Sequence, residues 1–239
     1  SDDNFFNLHK KIAIKRNLKI LSFGIKNTKS NIKLINIQKK GSIFKVNIKI
    51  KNFKTYFLIS NSYQNHIYNV LTAITVMSIF LDVSKLNKNI FLKFKIPKGR
   101  GDISKIIVEN KKFNLIDESY NSNPLSLKTA ILNYDKIQTK TSKKYLLLGD
   151  MLELGKHSKK LHRSMITLIN QAKIDKVFLI GSKIPSIFNY ITKSKRGRIL
   201  NKNFQIIDLI KNELNNNDYL MVKASNATGL NKMINILRG

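Results

Sequence analysis

Leu115 to Pro124 reads LIDESYNSNP, and Leu146 to Gly155 reads LLLGDMLELG. In the first stretch an apolar run stops at two acidic residues, Asp117 and Glu118. Ser119, Tyr120, Asn121 and Asn123 follow, ahead of Pro124 and a helical pattern. The second stretch repeats the plan, with Leu146 to Leu148 buried and Gly149 and Asp150 at the carboxyl end of the strand. Open parallel sheets place their ligands at that end, so both turns are expected to face a ligand.

Working outward, strand and helix patterns alternate beyond residue 99. Strands are expected at Ile106–Glu109, Phe113–Ile116, Tyr145–Leu148, Val177–Ile180, part of Ile199–Ile206 and Tyr219–Val222. Helices are expected at Pro124–Tyr134, Ser158–Ala172, Ile184–Thr192, Ile207–Leu214 and Gly229–Leu237. That alternation implies an α/β unit with a mostly parallel sheet and helices on its faces. Residues 1–98 read as strand-rich, with strands at Leu18–Phe23, Phe44–Lys51 and Phe53–Ile59, a hairpin connection at Lys51-Asn52 and one long helix over Gln64–Leu81. Pro97, Gly99 and Gly101 form the strongest punctuation in the chain, and the boundary between a domain of residues 1–98 and one of 99–239 is expected there.

The chain has 239 residues, enough for two domains of ordinary size. It has no cysteine, which excludes disulfides and thiolate metal sites and agrees with a reducing cytoplasm. No secretory signal opens it, and a cytoplasmic location is expected. The apolar stretch Ile67–Val83 is broken by Asn69, Thr72, Thr75, Ser78 and Asp82 at helical spacing, so it reads as a buried amphipathic helix and not as a membrane span. The formal net charge is +30. Its lysines are spread through every element with abundant Asn and Ile, and no nucleic-acid-binding motif accompanies them. A solvated basic surface is therefore expected, with no specific nucleic-acid partner and no membrane.

Arg100 lies between two glycines, where its planar donor fork suits a phosphate or ribose; the competing reading is a solvated arginine. Asp117 and Glu118 can accept from ribose hydroxyls or form a turn pair, and Asn121, Asn123 and Pro124 carry turn and cap chemistry. Gly149, Asp150, Glu153 and Gly155 line a loop whose carboxylates suit an amine or a cation. His157 and His162 with Glu153 have spacings that fit a helix surface better than a metal, and no metal site is expected. Lys223, Ser225, Asn226 and Thr228 close the last strand.

With three further stretches, Pro97–Gly101 (PKGRG), Asn65–Ala73 (NHIYNVLTA) and Val222–Met233 (VKASNATGLNKM), these motifs make the chain similar to the Mur ligase family over nearly its whole length. The DESYNSNP wording resembles the member that joins D-alanyl-D-alanine to UDP-N-acetylmuramoyl-tripeptide. The resemblance implies an ATP-dependent amide-forming ligase of peptidoglycan synthesis and cell-wall biogenesis, using Mg2+, monomeric when complete, with a Rossmann-like carboxyl-terminal domain after a remnant of the central ATPase domain. It implies ATP contacts at Asn69, Arg100, Asp117, Tyr120, Asn121, Asn123 and His66, and substrate contacts at Asp150, Glu153, Lys223, Ser225 and Asn226. Two departures stand out. Asn65-His66 replaces the usual His-Asn order, and Ala224 replaces the glycine of Lys-Gly-Ser.

A family member also needs a phosphate-cradling loop, G-x-x-x-x-G-K-[ST], and none occurs here. Gly149 and Gly155-Lys156 are one residue too far apart, and His157 stands where Ser or Thr would bind magnesium. The resemblance therefore implies a carboxyl-terminal half that is inactive alone, its catalytic loop and metal ligands lying elsewhere. The alternatives are another ligase of the superfamily and a non-enzymatic basic module that binds polyanions.

Overall fold

The computed structural model describes residues 1–62, 64–94 and 97–239. The chain separates into two compact units, Ser1–Lys95 and Ile96–Gly239.

The first unit opens with helix α1 (Phe6–Lys15), followed by strands β1 (Phe23–Gly24), β2 (Ile32–Lys40), β3 (Ile43–Ile50) and β4 (Phe53–Ile59) and helix α2 (Gln64–Phe80). The strands form one sheet in chain order. Tight turns set its register. Lys40 faces Ile43 across Gly41-Ser42, and Ile50 faces Phe53 across Lys51-Asn52, with Gly41 and Lys51 in the left-handed conformation that two-residue hairpins demand. Alternate residues Val46, Ile48 and Ile50 of β3 point inward, joined by Phe57 and Ile59 of β4. Against them α2 packs Ile67, Val70, Leu71 and Ile74, the three-and-four spacing of one helical face.

One expectation changes here, and two elements were not expected. Of the Leu18–Phe23 run only Phe23 pairs as strand, as the first residue of β1. β2 and α1 escape a reading by pattern, β2 because much of it is exposed and α1 because it buries no residue. No helix among the described residues is long and apolar enough to cross a membrane.

The second unit contains β5 (Asp102–Val108), β6 (Lys111–Glu118), α3 (Pro124–Asp135), β7 (Lys144–Gly149), α4 (Ser158–Arg163), α5 (Ile166–Gln171), β8 (Lys176–Ile180), β9 (Arg196–Leu200), α6 (Gln205–Glu213), β10 (Tyr219–Lys223) and α7 (Leu230–Arg238). Its sheet runs β5-β6-β10-β7-β8-β9, parallel throughout except for the antiparallel edge strand β5. Each inner strand buries both faces, which is why these segments read as continuous apolar runs. Leu147, Phe178, Leu220 and Val222 meet α6 and α7 on one side, while Leu146, Leu148, Leu179 and Met221 meet α3 and α5 on the other.

The single helix expected over Ser158–Ala172 is broken at Ser164-Met165 into α4 and α5, and Ile184–Thr192 forms a 3-10 helix over Ile184–Tyr190. His162 does not lie on a helix surface. It is fully buried, its Nε2 accepting from the Met151 N–H at 3.1 Å and its Nδ1 meeting the Ser158 carbonyl at 2.8 Å. That arrangement holds the Met151 loop and leaves the ring no lone pair for a metal.

Candidate functional site

The carboxyl ends of β6, β10 and β7 lie side by side, and the turns that leave them carry most of the polar residues singled out above. The Pro97–Gly101 turn lies along the one that follows β6. Tyr120 N–H donates to the Gly99 carbonyl at 3.1 Å, and Gly101 N–H to the Asp117 carbonyl at 2.7 Å. Gly99 has φ +78°, and a Cβ there would sit 2.9 Å from Tyr120 Cβ, so only glycine permits this approach. The consequence is a platform: the Arg100 guanidinium stacks 4.3 Å above the Tyr120 ring, both side chains facing solvent.

Behind the platform the carboxylates turn inward. Asp117 is 2% exposed; its Oδ1 accepts from Ser119 N–H and its Oδ2 lies 3.3 Å from Arg238 Nη1. Arg238 also reaches Asp102 at 2.6 Å, so one guanidinium at the end of α7 joins both strands of the β5–β6 pair. Glu118 pairs with Lys223 at 3.4 Å, and the Lys223 ammonium donates to the Asn121 carbonyl at 2.6 Å. Burial pushes the Glu118 carboxyl up and the Lys223 ammonium down, each opposed by the other's charge. Asn123 caps α3, accepting from Ser126 N–H at 2.8 Å in a reciprocal capping box with Pro124 in the first turn.

Ser225 ties the three turns together. Its hydroxyl donates to the Ser122 carbonyl at 3.2 Å and accepts from Leu152 N–H at 2.9 Å, while its own N–H reaches the Asp150 carbonyl. Asp150 is buried, its carboxylate receiving the N–H groups of Ser182, Lys183 and Ile184 at 2.7 to 3.0 Å. It therefore anchors the loop after β8. Glu153 is exposed with φ +61°, and Asn226 is exposed beside Asn231. Around Asp150, Gly181, Asn201, Asn203 and Thr228 opens a pocket of about 280 Å3. Asn201 and Asn203 escaped the sequence reading because no motif surrounds them; Arg238 escaped it because its partner Asp117 lies far back in the chain.

The first unit, taken by itself, holds the remaining two residues. His66 and Asn69, one helical turn apart on α2, edge a cavity of about 60 Å3 walled by Val70, Ala73, Phe91 and Phe94. His66 is buried with no partner for Nε2 among the described residues, and burial depresses its basicity. No group of three metal-binding side chains occurs among the described residues.

Residues 104–226 match the family model described as "Mur ligase, glutamate ligase domain". The chain belongs to the Mur ligase family. It is 27% identical over 240 residues to the UDP-N-acetylmuramoyl-tripeptide--D-alanyl-D-alanine ligase of Rickettsia prowazekii, covering 98% of this chain and 51% of that protein. With the like-named protein of Buchnera aphidicola subsp. Baizongia pistaciae it shares 30% over 240 residues, 98% of this chain and 48% of the relative. The chain thus spans about half the length of these curated relatives. Among solved structures, the MurF ligase of Thermotoga maritima in complex with ADP superimposes with a TM-score of 0.71 at 18% identity, over 98% of this chain and 52% of that one. A MurF structure from Acinetobacter baumannii gives 0.77 at 16% identity, over 99% and 50%. These Mur ligases share the fold, including the mostly parallel sheet of the second unit.

Proposed function

We propose that this Mur ligase chain is the carboxyl-terminal half of an ATP-dependent ligase that joins D-alanyl-D-alanine to UDP-N-acetylmuramoyl-tripeptide. The observation that carries the reading is the Arg100–Tyr120 platform, an exposed guanidinium set by two left-handed glycines in the turn entering β5 and stacked on a ring in the turn leaving β6. In this reading residues 1–98 are the end of the central ATP-binding domain and 99–239 the carboxyl-terminal domain of a cytoplasmic monomer. The names of the curated relatives and the ADP in the Thermotoga structure support it.

The chemistry assigned to the complete enzyme balances as follows. The tripeptide carboxylate oxygen attacks the γ-phosphorus of ATP and ADP leaves. The amine of D-alanyl-D-alanine then attacks the acyl carbon, phosphate leaves, and the amine loses a proton. This chain's part is to bind and orient. Arg100 offers a charge-assisted donor pair to nucleotide oxygens, braced by the Tyr120 ring. The Asn121 and Asn123 turn presents it, and Asp117, locked by Arg238, holds the turn in place. His66 and Asn69 offer polar edges beside apolar and aromatic walls, a chemistry that suits the rim of a purine. The pocket beside Asp150, with Asn201, Asn203 and Thr228, is assigned to the acceptor dipeptide, and Glu153 at its loop to the ammonium. Lys223, Ser225 and Asn226 shape that side. The described residues assemble no group of three carboxylates or histidines that would hold Mg2+.

The test compares residues 1–239 alone with the same sequence joined to an amino-terminal half carrying a phosphate loop. The joined protein is expected to form the amide with ATP consumption and residues 1–239 alone to form none. Ligation by the isolated chain, or a joined protein that accepts a different amino acid or peptide, overturns the reading.

A further inference from the structure

The opposite end of the second unit's strands, their amino ends, carries a feature the ligase reading does not use. At the amino end of β7, the loop leaving α3 and the loop leaving α5 enclose a pocket of about 470 Å3, within the range of small-molecule sites. Five lysines line it, Lys140, Lys143, Lys144, Lys173 and Lys195, against a single carboxylate, Asp175.

This end of a doubly wound sheet is ordinarily poor ground for an anion. Helices run back toward it, so their carbonyl ends and the negative pole of each dipole face it. Here both poles are plugged. Lys144, 4% exposed, points its ammonium at the carbonyls of Tyr134, Asp135 and Ile137, at 3.3 Å each, where α3 ends. Lys195 does the same for α5, donating to the carbonyls of Asn170 and Ala172 at 2.6 Å. The nearby carboxylates are turned onto backbone: Asp175 accepts from Lys144 N–H at 2.8 Å and Asp135 from Lys173 N–H at 2.6 Å. The ammonium groups of Lys140, Lys143 and Lys173 are left without an acceptor among the described residues, as are the N–H groups of Gln138 to Ser142 in the loop.

We propose that this basal pocket binds a compact, multiply charged phosphate ligand, one carrying a phosphoanhydride chain. Clustered lysines hold phosphate oxygens as point charges, each ammonium offering three donors, and a chain of phosphates needs several of them close together. A concave pocket between two loops fits a small molecule and not a nucleic-acid strand, which requires an extended basic track. An inorganic polyphosphate and a nucleoside triphosphate share this chemistry, and both belong in the test.

The experiment is calorimetric titration of the full chain with tripolyphosphate and, separately, with GTP. The expected result is one saturable site for either ligand. Lys140→Gln, Lys143→Gln and Lys173→Gln combined should weaken it by about tenfold or more, since three charge-assisted contacts are lost. A control triple of equal charge on α1, Lys10→Gln, Lys11→Gln and Lys15→Gln, should weaken it less than about twofold, because it lowers the net charge equally without removing any residue that lines the pocket. Arg100→Ala should leave tripolyphosphate binding unchanged, which separates this site from the proposed ATP contact. Equal losses in the two triples, loss on Arg100→Ala, no saturable binding, or lysine-dependent binding of an oligonucleotide alone would each overturn the proposal.

Discussion

The Nζ of Lys223, at the end of the central strand β10, lies 2.6 Å from the carbonyl oxygen of Asn121, in the turn that follows β6. A buried cation thereby fixes the backbone of the turn that presents Tyr120, the ring on which Arg100 stacks. Removing it strands Glu118 in a site with little water. Lys223→Ala is expected to cost about 3 kcal/mol, the low end for breaking a buried pair, read from urea unfolding. Adding Glu118→Gln should recover part of that loss. Two losses that simply add would show that the pair is not coupled.

In the joined full-length enzyme, Arg100→Ala should slow ligation by about one to two orders of magnitude, the worth of one charge-assisted contact. Tyr120→Phe keeps the ring beneath the guanidinium and should retain most of the rate, whereas Tyr120→Leu should not. Thermal unfolding is expected to be unaltered in all three, because both side chains face solvent. Wild-type kinetics for Arg100→Ala would remove the platform from the mechanism.

Asn123→Ala removes the side-chain acceptor that caps α3 and should lower stability by about 1 kcal/mol. Asn123→Asp retains an acceptor and adds a negative charge at the helix start, so it should be neutral or better. Chemical denaturation of the three proteins side by side decides it.

Gly149→Ala places a methyl 2.6 Å from Ala224 Cβ and 2.7 Å from Leu230 Cδ1, distances no packed core tolerates. A loss of about 1 to 3 kcal/mol is expected from overpacking. Ala224→Gly in the same chain should relieve it, and a failure to rescue would point to Leu230 as the obstacle.

Alkaline stability should fall early. Burial pushes the Tyr145 phenol up to about 12 and the Tyr134 phenol well above its ordinary value, and both hydroxyls donate to backbone carbonyls. A phenol whose folded value is raised keeps its proton when folded and loses it when unfolded. Stability is therefore undiminished below the ordinary value of 10 and declines as pH rises from 10 through about 12. Tyrosinate absorbance should show two residues that titrate only after unfolding.

Much of the second unit was legible because parallel strands covered on both faces are apolar without interruption, as in Tyr145–Leu148, and because Asn123-Pro124 marks a helix start by chemistry alone. The first unit was less so. β2 has three lysines and one asparagine in nine residues, and the alternation begun by Ile32 and Leu34 slips at a register shift before Ile37, so no clean apolar period emerges; α1 buries nothing that could leave a pattern. At the site, residue types were readable and their partners were not. Asp117 was identifiable as a carboxylate at a strand end, but Arg238, which holds it, ends the last helix of the chain, and no local spacing links the two. His162 was misplaced for the same reason, since its burial depends on a loop eleven positions earlier, at Met151.

The hydroxyl of Ser225, itself in the loop after β10, bonds the loops after β6 and β7, so it joins the loops of three neighbouring strands. Three loops joined at one oxygen have few independent motions, so a ligand that shifts any of them has to shift all of them or break the joint. The edge of the sheet that carries the candidate site therefore behaves as a hub, in which local disorder at Ser122, Leu152 or Asn226 is shared among all three.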